Sequence, residues 1–307
     1  MAFLEGPSPK QAEIIKQELG EGSGDLERGV RDLQSMCAAS PYLPQPEVID
    51  THILKLFMRG CRMDQERARA KFEAFCFARA RCRDLYEHRS LSEPPLNDVV
   101  KFMDIAPLPK LTDEGLRVTI FRIRENYPET SADIVAAVRA ILLVSDARMH
   151  DETLLAGDVF IWEASNVRAS LTARIASAAN SVRRAIHLAH TAYPQRMRRI
   201  HIVGAPPLIA SSINFIRSCV NEKIRRRYYL HQKVEDLLDH FPARVLPAEW
   251  GGQEKSLDVI TKKWRHRVDE LRDYLRDLSE LSTVTPQPKF DTDIYGTVGA
   301  FRKLDID

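Results

Sequence analysis

The chain has 307 residues, long for one domain and short for three, so one or two are expected. Hydrophobic residues make up 44% and charged residues 29%, which fits a globular protein with a real core rather than a disordered or fibrous one. With 45 basic against 43 acidic residues the formal net charge is only +2, which argues against a nucleic-acid binder and leaves any electrostatic function to a local patch.

The cysteines Cys37, Cys61, Cys76, Cys82 and Cys219 are odd in number and scattered, without a C-x-x-C pair, and read as reduced thiols of an intracellular protein. The start, "MAFLEGPSPKQAEIIKQELG", lacks the apolar run of a signal peptide. No stretch approaches the ~20 apolar residues of a membrane span. Ala2 stands where myristoylation needs glycine, and the ending "KLDID" is no prenylation box. A cytoplasmic protein is expected, peripheral and reversible at membranes if it meets them.

In chain order, residues 1–92 read as helical. "PKQAEIIKQEL" opens with Pro9 near N1 and "GEGSG" breaks it. "DLERGVRDLQSMCAA" is amphipathic and ends at "SPYLPQP". "DTHILKLFMRGC" follows, and then, past Gly60, "DQERARAKFEAFCFARARCRDLY". Asp64 is placed to cap that last helix, with Ala68, Phe72, Phe75 and Phe77 facing inward. "SEPPLND" (92–98) reads as a linker. Beyond it "LRVTIFRI" (116–123) alternates like a strand and "SADIVAAVRAILLVSDARM" is an apolar helix. "DVFIWEAS" (158–165) is a second strand, "SLTARIASAANSVRRAIHLAHTAYP" is helical, and 199–203 is a third strand. Strands alternating with helices imply an α/β layer with at least partly parallel strands. From Ser256 a long helix repeats Leu257, Ile260, Trp264, Val268, Leu271, Leu275 and Leu278 at steps of three and four. It is expected to pack along its own chain rather than form a coiled-coil seam, which would be short at roughly three heptads. The tail reads as extended, with Phe290, Ile294, Tyr295 and Phe301 as its apolar points. The expected division is 1–92, 93–255 and 256–307, in a monomer.

Motifs for catalysis are missing from the sequence: no G-x-S-x-G elbow, no Walker loop, no G-x-G-x-x-G. His187 and His190 stand three apart on a helix, half a metal site without the other half. Asp151 and Glu152 read as a solvated turn rather than an acid–base pair. No cofactor, no metal and no enzymatic activity are expected.

The most informative stretch is "IASSINFIRSCVNEKIRRRYYL" (209–230). Ile209, Ile213, Ile216, Val220 and Ile224 recur at steps of four, three, four and four, which lines them up on one helix face. Leu208, Phe215 and Cys219 widen that stripe, and Ser211, Ser212, Asn214, Arg217, Ser218 and Asn221 form the opposite face. A core-facing surface helix explains such a stripe by itself. Directly after it come Lys223, Arg225, Arg226 and Arg227, with Arg196, Arg198 and Arg199 just ahead. A helix dipole needs one or two such charges, not this many. Against an anionic membrane each is worth about 1 kcal/mol, and the arginine fork suits phosphate.

"RRIHIVGAPPLIASSINFIRSCVNEKIRRRYYLHQ" followed by "LPAEWGG" resembles the signature of the CRAL-TRIO lipid-binding proteins. "ILKLFMRGCRMDQERARAKF" resembles their helical N-terminal domain. "YGTVGAFRKLDID" is similar to the tails of arthropod members of the alpha-tocopherol-transfer-protein-like branch. The resemblance spans the chain from about residue 28 to the end. It implies an α/β fold with a helical N-terminal domain, then a mixed, mainly parallel sheet flanked by helices. The sheet floors a lipid pocket that a gate helix at 206–227 closes.

It further implies floor strands at 160–163 and 200–203 and wall helices at 135–143 and 186–193. The side chains expected against the lipid are Phe160, Trp162, Ile200 and Ile202 from the floor and Val138, Leu142, Leu188 and Tyr193 from the walls. The gate adds Ile209, Ile213, Ile216 and Val220. The tocopherol-transfer relatives bind phosphoinositide headgroups through basic positions that match Arg196, Lys223 and Arg227 here, with Arg198 at a further arginine. Cys61 stands at the matching N-domain position, a departure for which Arg59 and Arg62 are neighbouring substitutes. The phosphatidylinositol-transfer branch has a glutamate in "YPER" where this chain has Gln195 in "YPQR", which weighs against phosphatidylinositol as cargo. The expected function is a carrier that exchanges a small hydrophobic, isoprenoid-like lipid at phosphoinositide-containing membranes. The alternative is a trafficking adaptor that uses the fold without cargo transfer.

Overall fold

The structure, a computed structural model, describes residues 3–281. Its centre is a five-stranded sheet in the order β1 (Met103–Leu111), β2 (Leu116–Ile123), β3 (Gly157–Glu163), β4 (Met197–Val203) and β5 (Tyr228–His231). β1 runs antiparallel to β2 and the remaining pairs are parallel. β2, β3 and β4 lie where their alternating β-branched residues put them. β1 and β5 carry no such signal. β1 contains Pro107 and Pro109, which only an edge strand tolerates, because proline cannot donate to a ladder. β5 is four residues long and follows the arginine run without a break.

Helices α1 (Pro9–Leu19), α2 (Asp25–Ala39), α3 (Thr51–Gly60), α4 (Gln65–Arg81), α5 (Arg83–Tyr86) and α6 (Leu96–Phe102) precede the sheet or lead into it. Asp50 and Asp64 cap α3 and α4 by accepting the amides of His52 (2.8 Å) and Arg67 (3.0 Å). α2, α3 and α4 share a core in which Phe57, Phe72 and Phe75 meet edge to face or stacked. α1 packs elsewhere: Ile15 and Leu19 join the sheet's core, and Ile15 presses on the β1–β2 turn at Gly115. Gly115 has φ +73, and a Cβ there would lie 2.5 Å from Ile15 Cδ1, so both the conformation and the contact require glycine.

α7 (Ile134–Asp151) is the spine between the two cores. Its Ala136, Ala140, Leu143 and Ala147 pack with the sheet, and its Val138, Leu142 and Met149 pack with the helical core. At its C-terminus Asp151 and Glu152 are not a solvated turn. Glu152 is buried and takes a bidentate pair from Arg117 at 2.9 Å, and Asp151 pairs with Arg267 at 2.6 Å. Burial alone would raise the Glu152 carboxyl, but Arg117 outweighs it and holds it below its ordinary range.

After β3 come α8 (Ala169–Ser177) and α9 (Ala179–Thr191), two helices where the sequence reads as one. Between β4 and β5 lie α10 (Ala210–Ser218) and α11 (Glu222–Arg225). α12 (Leu257–Glu270) and α13 (Arg272–Ser279) divide the expected long helix at Leu271. All seven residues of its apolar repeat are buried against this same chain, and Trp264 Nε1 donates to the Pro107 carbonyl at 2.7 Å. Leu278 reaches the helical core. The tail points Phe290, Ile294, Tyr295 and Phe301 lie outside the described residues.

Candidate functional site

Strand alternation and register put Thr119, Phe121, Phe160, Trp162, Ile200 and Ile202 on one face of the sheet. Phe121 stacks on Trp162 (4.2 Å, 15°) and meets Phe160 edge-on (5.3 Å, 81°). β3 is the central strand, and its Val159 and Ile161 are completely buried on the other face. Phe160 and Trp162 are only half-buried, although flanking strands and the helices above them should leave a central strand no exposure. Ile175 of α8 packs in the same cluster as these two aromatics, and Ile209 and Ile213 pack with Trp162, Ala164 and Ile202. The aromatic floor is therefore incompletely covered.

The segment above that floor is not one helix. A 3-10 turn at Pro207–Ile209 leads into α10, the chain breaks at 219–221, and Asn221 caps the short α11 by accepting the Ile224 amide at 2.9 Å. Of the apolar stripe, Ile209 and Val220 are buried, while Ile213, Ile216 and Ile224 are half-buried and Leu208 is exposed. Ile216 joins none of the core clusters. Ser212, from the polar face, is turned in and buried. Arg183 of α9 lies 5.7 Å above the Phe215 ring and Arg217 lies 5.7 Å above Tyr228. The segment is thus tied down through Ile209, Ile213 and Phe215, while Ile216 and Ile224 are only half-buried.

The four expected wall residues sit elsewhere. Val138, Leu142, Leu188 and Tyr193 are buried in the helical core, facing α2–α4 rather than the aromatic floor. Tyr193 packs edge-on against Phe75 (5.7 Å) and its hydroxyl donates to Asp146 Oδ1 at 2.8 Å. Burial, then the Asp146 charge, push its phenol well above its ordinary value. Asp146 also accepts from Arg79 and Arg89, each at 2.8 Å. Among the half-buried residues of α7, Ile134, Ile141 and Ser145 lie one helical face over, with Ile134 and Ile141 packed against the sheet-side core. An apolar helix buried all round has no phase that its sequence reveals, so this choice was not legible in advance.

The basic residues gather where the helical part meets the sheet. Gly60 ends α3 against the Pro194 carbonyl, where a Cβ would lie 2.0 Å from the oxygen. That contact sets Arg59 and Arg62 beside Arg196. A shallow, solvent-open cleft is lined there by Arg59, Gly60, Arg148, Asp158, Gln195 and Arg196. Arg59 gives two bonds to Glu21 (2.8 and 2.9 Å). Arg196 bonds the Ala156 carbonyl (2.8 Å) and Glu18 (3.4 Å), and Arg198 bonds the same Glu18 oxygen at 2.5 Å. Arg227 donates to the Met197 carbonyl. Lys223 is exposed on α11, Arg62 is exposed, and Cys61 between Arg59 and Arg62 is buried. Burial lowers Arg196, with Glu18 opposing and Arg198 and Arg62 adding to the fall; burial and then Arg198 lower Arg227. Arg62, Arg196, Arg198 and Arg227 are therefore one electrostatic neighbourhood assembled from three parts of the chain.

One cluster has no forecast in the sequence. Behind the floor, His201 stacks on His231 (5.0 Å, 7°), their Nδ1 and Nε2 are 2.8 Å apart, and His240 and Phe241 close on the same ring. Burial, then His231 and His240, depress His201 to about 3. Among the described residues no group of three or more side chains is arranged to hold a metal ion, His187 and His190 included. No helix among them is long and apolar enough to cross a membrane.

Residues 101–252 match the model of the CRAL/TRIO domain. Clavesin-2 of Mus musculus is 25% identical over 258 residues, 83% of this chain and 78% of the relative. The alpha-tocopherol transfer protein-like protein of Homo sapiens is 25% identical over 252 residues, 80% of this chain and 71% of the relative. Among solved structures, that of Sfh5 is similar at a TM-score of 0.45 and 10% identity, covering 88% of this chain and 99% of the other.

Proposed function

The chain belongs to the CRAL/TRIO domain family, and from that premise we propose that it is a carrier, not an enzyme, that holds one small hydrophobic lipid against the β3 floor. The observation that carries this reading is the half-buried pair Phe160 and Trp162 on a central strand, with Ile209 and Ile213 of a segment whose Ile216 and Ile224 are only half-buried packed beside Trp162. Ile200, Ile202, Ile209, Ile213, Ile216 and Val220 complete the apolar surround, with Ile141 from α7. Ser145 is the half-buried polar group on that α7 face, and Tyr193, the other candidate anchor, is engaged by Asp146. A weakly polar, isoprenoid-like molecule suits such a lining better than a charged headgroup, whose desolvation would go uncompensated. The name of the alpha-tocopherol transfer protein-like relative is consistent with this choice.

Exchange takes place at an anionic membrane, with Arg62, Arg196, Arg198, Lys223 and Arg227 as the contact for phosphoinositide headgroups and Arg59 behind them. Two buried and three half-buried stripe residues put the cost of opening the gate into water at roughly 5–10 kcal/mol. Opened onto a bilayer, the same face enters the headgroup boundary and most of that cost disappears. Organic extraction of the purified protein followed by mass spectrometry is expected to yield one hydrophobic molecule per chain. A protein that yields none, and takes up neither a fluorescent isoprenoid nor a fluorescent phospholipid from vesicles, overturns the carrier reading.

A further inference from the structure

We propose that Glu18 is a specificity-determining residue of the arginine patch: a built-in competitor that sets how much negative charge a headgroup must carry to dock, beside Glu21, which holds Arg59 permanently neutralised. The inference rests on the reading of that patch as a phosphate site. One oxygen of Glu18 accepts from both Arg196 and Arg198, and the two oxygens of Glu21 accept from Nε and Nη2 of Arg59. Two donors converging on a carboxylate is the arrangement by which the same donors would hold a phosphate.

The backbone that presents these carboxylates is fixed. α1 buries Ile15 and Leu19 in the sheet-side core, Gln11 Nε2 donates to the Thr112 carbonyl at 2.7 Å, and Gly20 closes the helix in a left-handed cap. Only side-chain rotation can free the arginines. The two carboxylates differ in that freedom: the Glu18 side chain is 35% exposed and can swing into water, whereas Glu21 is 7% exposed and stays on Arg59. Arg196 and Arg198 are therefore the exchangeable donors, and Arg59 remains neutralised.

Chemistry then sets the selectivity. A phosphodiester carries one negative charge, no more than the Glu18 it displaces. A phosphate monoester carries about −1.5 to −2 near neutral pH and three acceptor oxygens, so it wins the exchange. The patch selects headgroups that carry a phosphomonoester over bulk anionic lipid.

The test is sedimentation with phosphatidylcholine vesicles containing either phosphatidylserine or phosphatidylinositol bisphosphate at matched total charge. Wild type is expected to favour the bisphosphate vesicles. Glu18→Gln keeps size and shape but removes the charge. It should raise binding to phosphatidylserine vesicles about fivefold, the equivalent of one added surface cation, and narrow the preference. An unchanged preference in Glu18→Gln, with wild type selective and Arg198→Gln weakened, overturns the competitor while leaving the phosphate site standing. Wild type that binds neither vesicle better than pure phosphatidylcholine, with Arg198→Gln unchanged, overturns both. Among the described residues the Glu18 side chain bonds to Arg196 and Arg198 alone, so Glu18→Gln is expected to fold as wild type does. Free inositol trisphosphate titrated against the same variants separates the sources. Strengthening in solution as well as on vesicles supports a site for the phosphate group itself, and strengthening on vesicles alone supports the lipid headgroup.

Discussion

Phe72 and Phe75 of α4 have no exposed surface, whereas Phe160 and Trp162, at the centre of the sheet, do. The first pair sits in a core closed by a buried ionic knot, where Asp146 takes donors from Arg79, Arg89 and Tyr193 and Arg79 lies 3.5 Å over the Phe75 ring. Of the second pair, Trp162 packs with Ile209 and Ile213 of the overlying segment. Aromatic content does not separate the two regions; their closure does. The helical side is held by directional bonds that cannot be made in part. The side over β3 is held largely by apolar contacts, which in the proposed carrier a bilayer or a cargo would replace. A carrier needs that division, because one wall must yield without the rest of the fold yielding.

Asp146→Ala should produce the largest effect. It leaves the Arg79 guanidinium buried without a counter-charge, and a loss of about 3–5 kcal/mol is expected in urea unfolding. A loss under about 1 kcal/mol would break the comparison. Next, Phe72→Ala should cost about 3–5 kcal/mol, while Phe160→Ala should cost less than half of that and instead lower the amount of copurified lipid. Equal stability losses with unchanged lipid content would mean that the floor is ordinary core.

The pH response sharpens the same contrast from behind the sheet. His201 is held neutral, its value depressed from about 6.5 to about 3 by burial and the neighbouring imidazoles, with Arg199 adding to the effect. His231 is likewise lowered, burial first and then His240, with Asp236 opposing. A histidine whose folded value is depressed contributes stability in full above pH 6.5 and loses it progressively toward pH 3. Thermal melts should fall over that interval, and His201→Phe should flatten the fall. Because β5 anchors the far end of the gate, lipid release should accelerate in the same window. Smallest is Lys223→Ala: stability within about 0.5 kcal/mol of wild type, unchanged affinity for cargo in solution, and transfer to anionic vesicles slowed about fivefold. Equal transfer rates on neutral and anionic vesicles for both proteins would detach the basic patch from exchange.

Local signals carried much of the candidate site's layout. Alternation located Phe160, Trp162, Ile200 and Ile202 on one sheet face, and the step of three and four located the gate stripe, because both patterns repeat over a single element. They failed where packing partners decide. Val138, Leu142, Leu188 and Tyr193 belong to helices apolar on more than one face, and nothing within α7 or α9 says which face meets α2–α4. The breaks at Ala178, 219–221 and Leu271 likewise fall inside stretches whose periodicity continues without interruption. β1 was hidden by its prolines, which an edge position excuses.

What the sequence by itself determined, then, is the set of elements from β2 to β4, the cap at Asp64, and the coincidence of an apolar stripe with a run of cations. Each depends on neighbours within a few positions along the chain. Only the tertiary structure decided that Glu18 and Glu21 meet Arg196, Arg198 and Arg59, that Asp146 unites Arg79, Arg89 and Tyr193, and that three histidines converge behind the sheet. Most of those partners lie tens of residues to well over a hundred apart. Their pairing is set by how helices dock on a sheet, a choice made by total burial and charge satisfaction rather than by any local pattern.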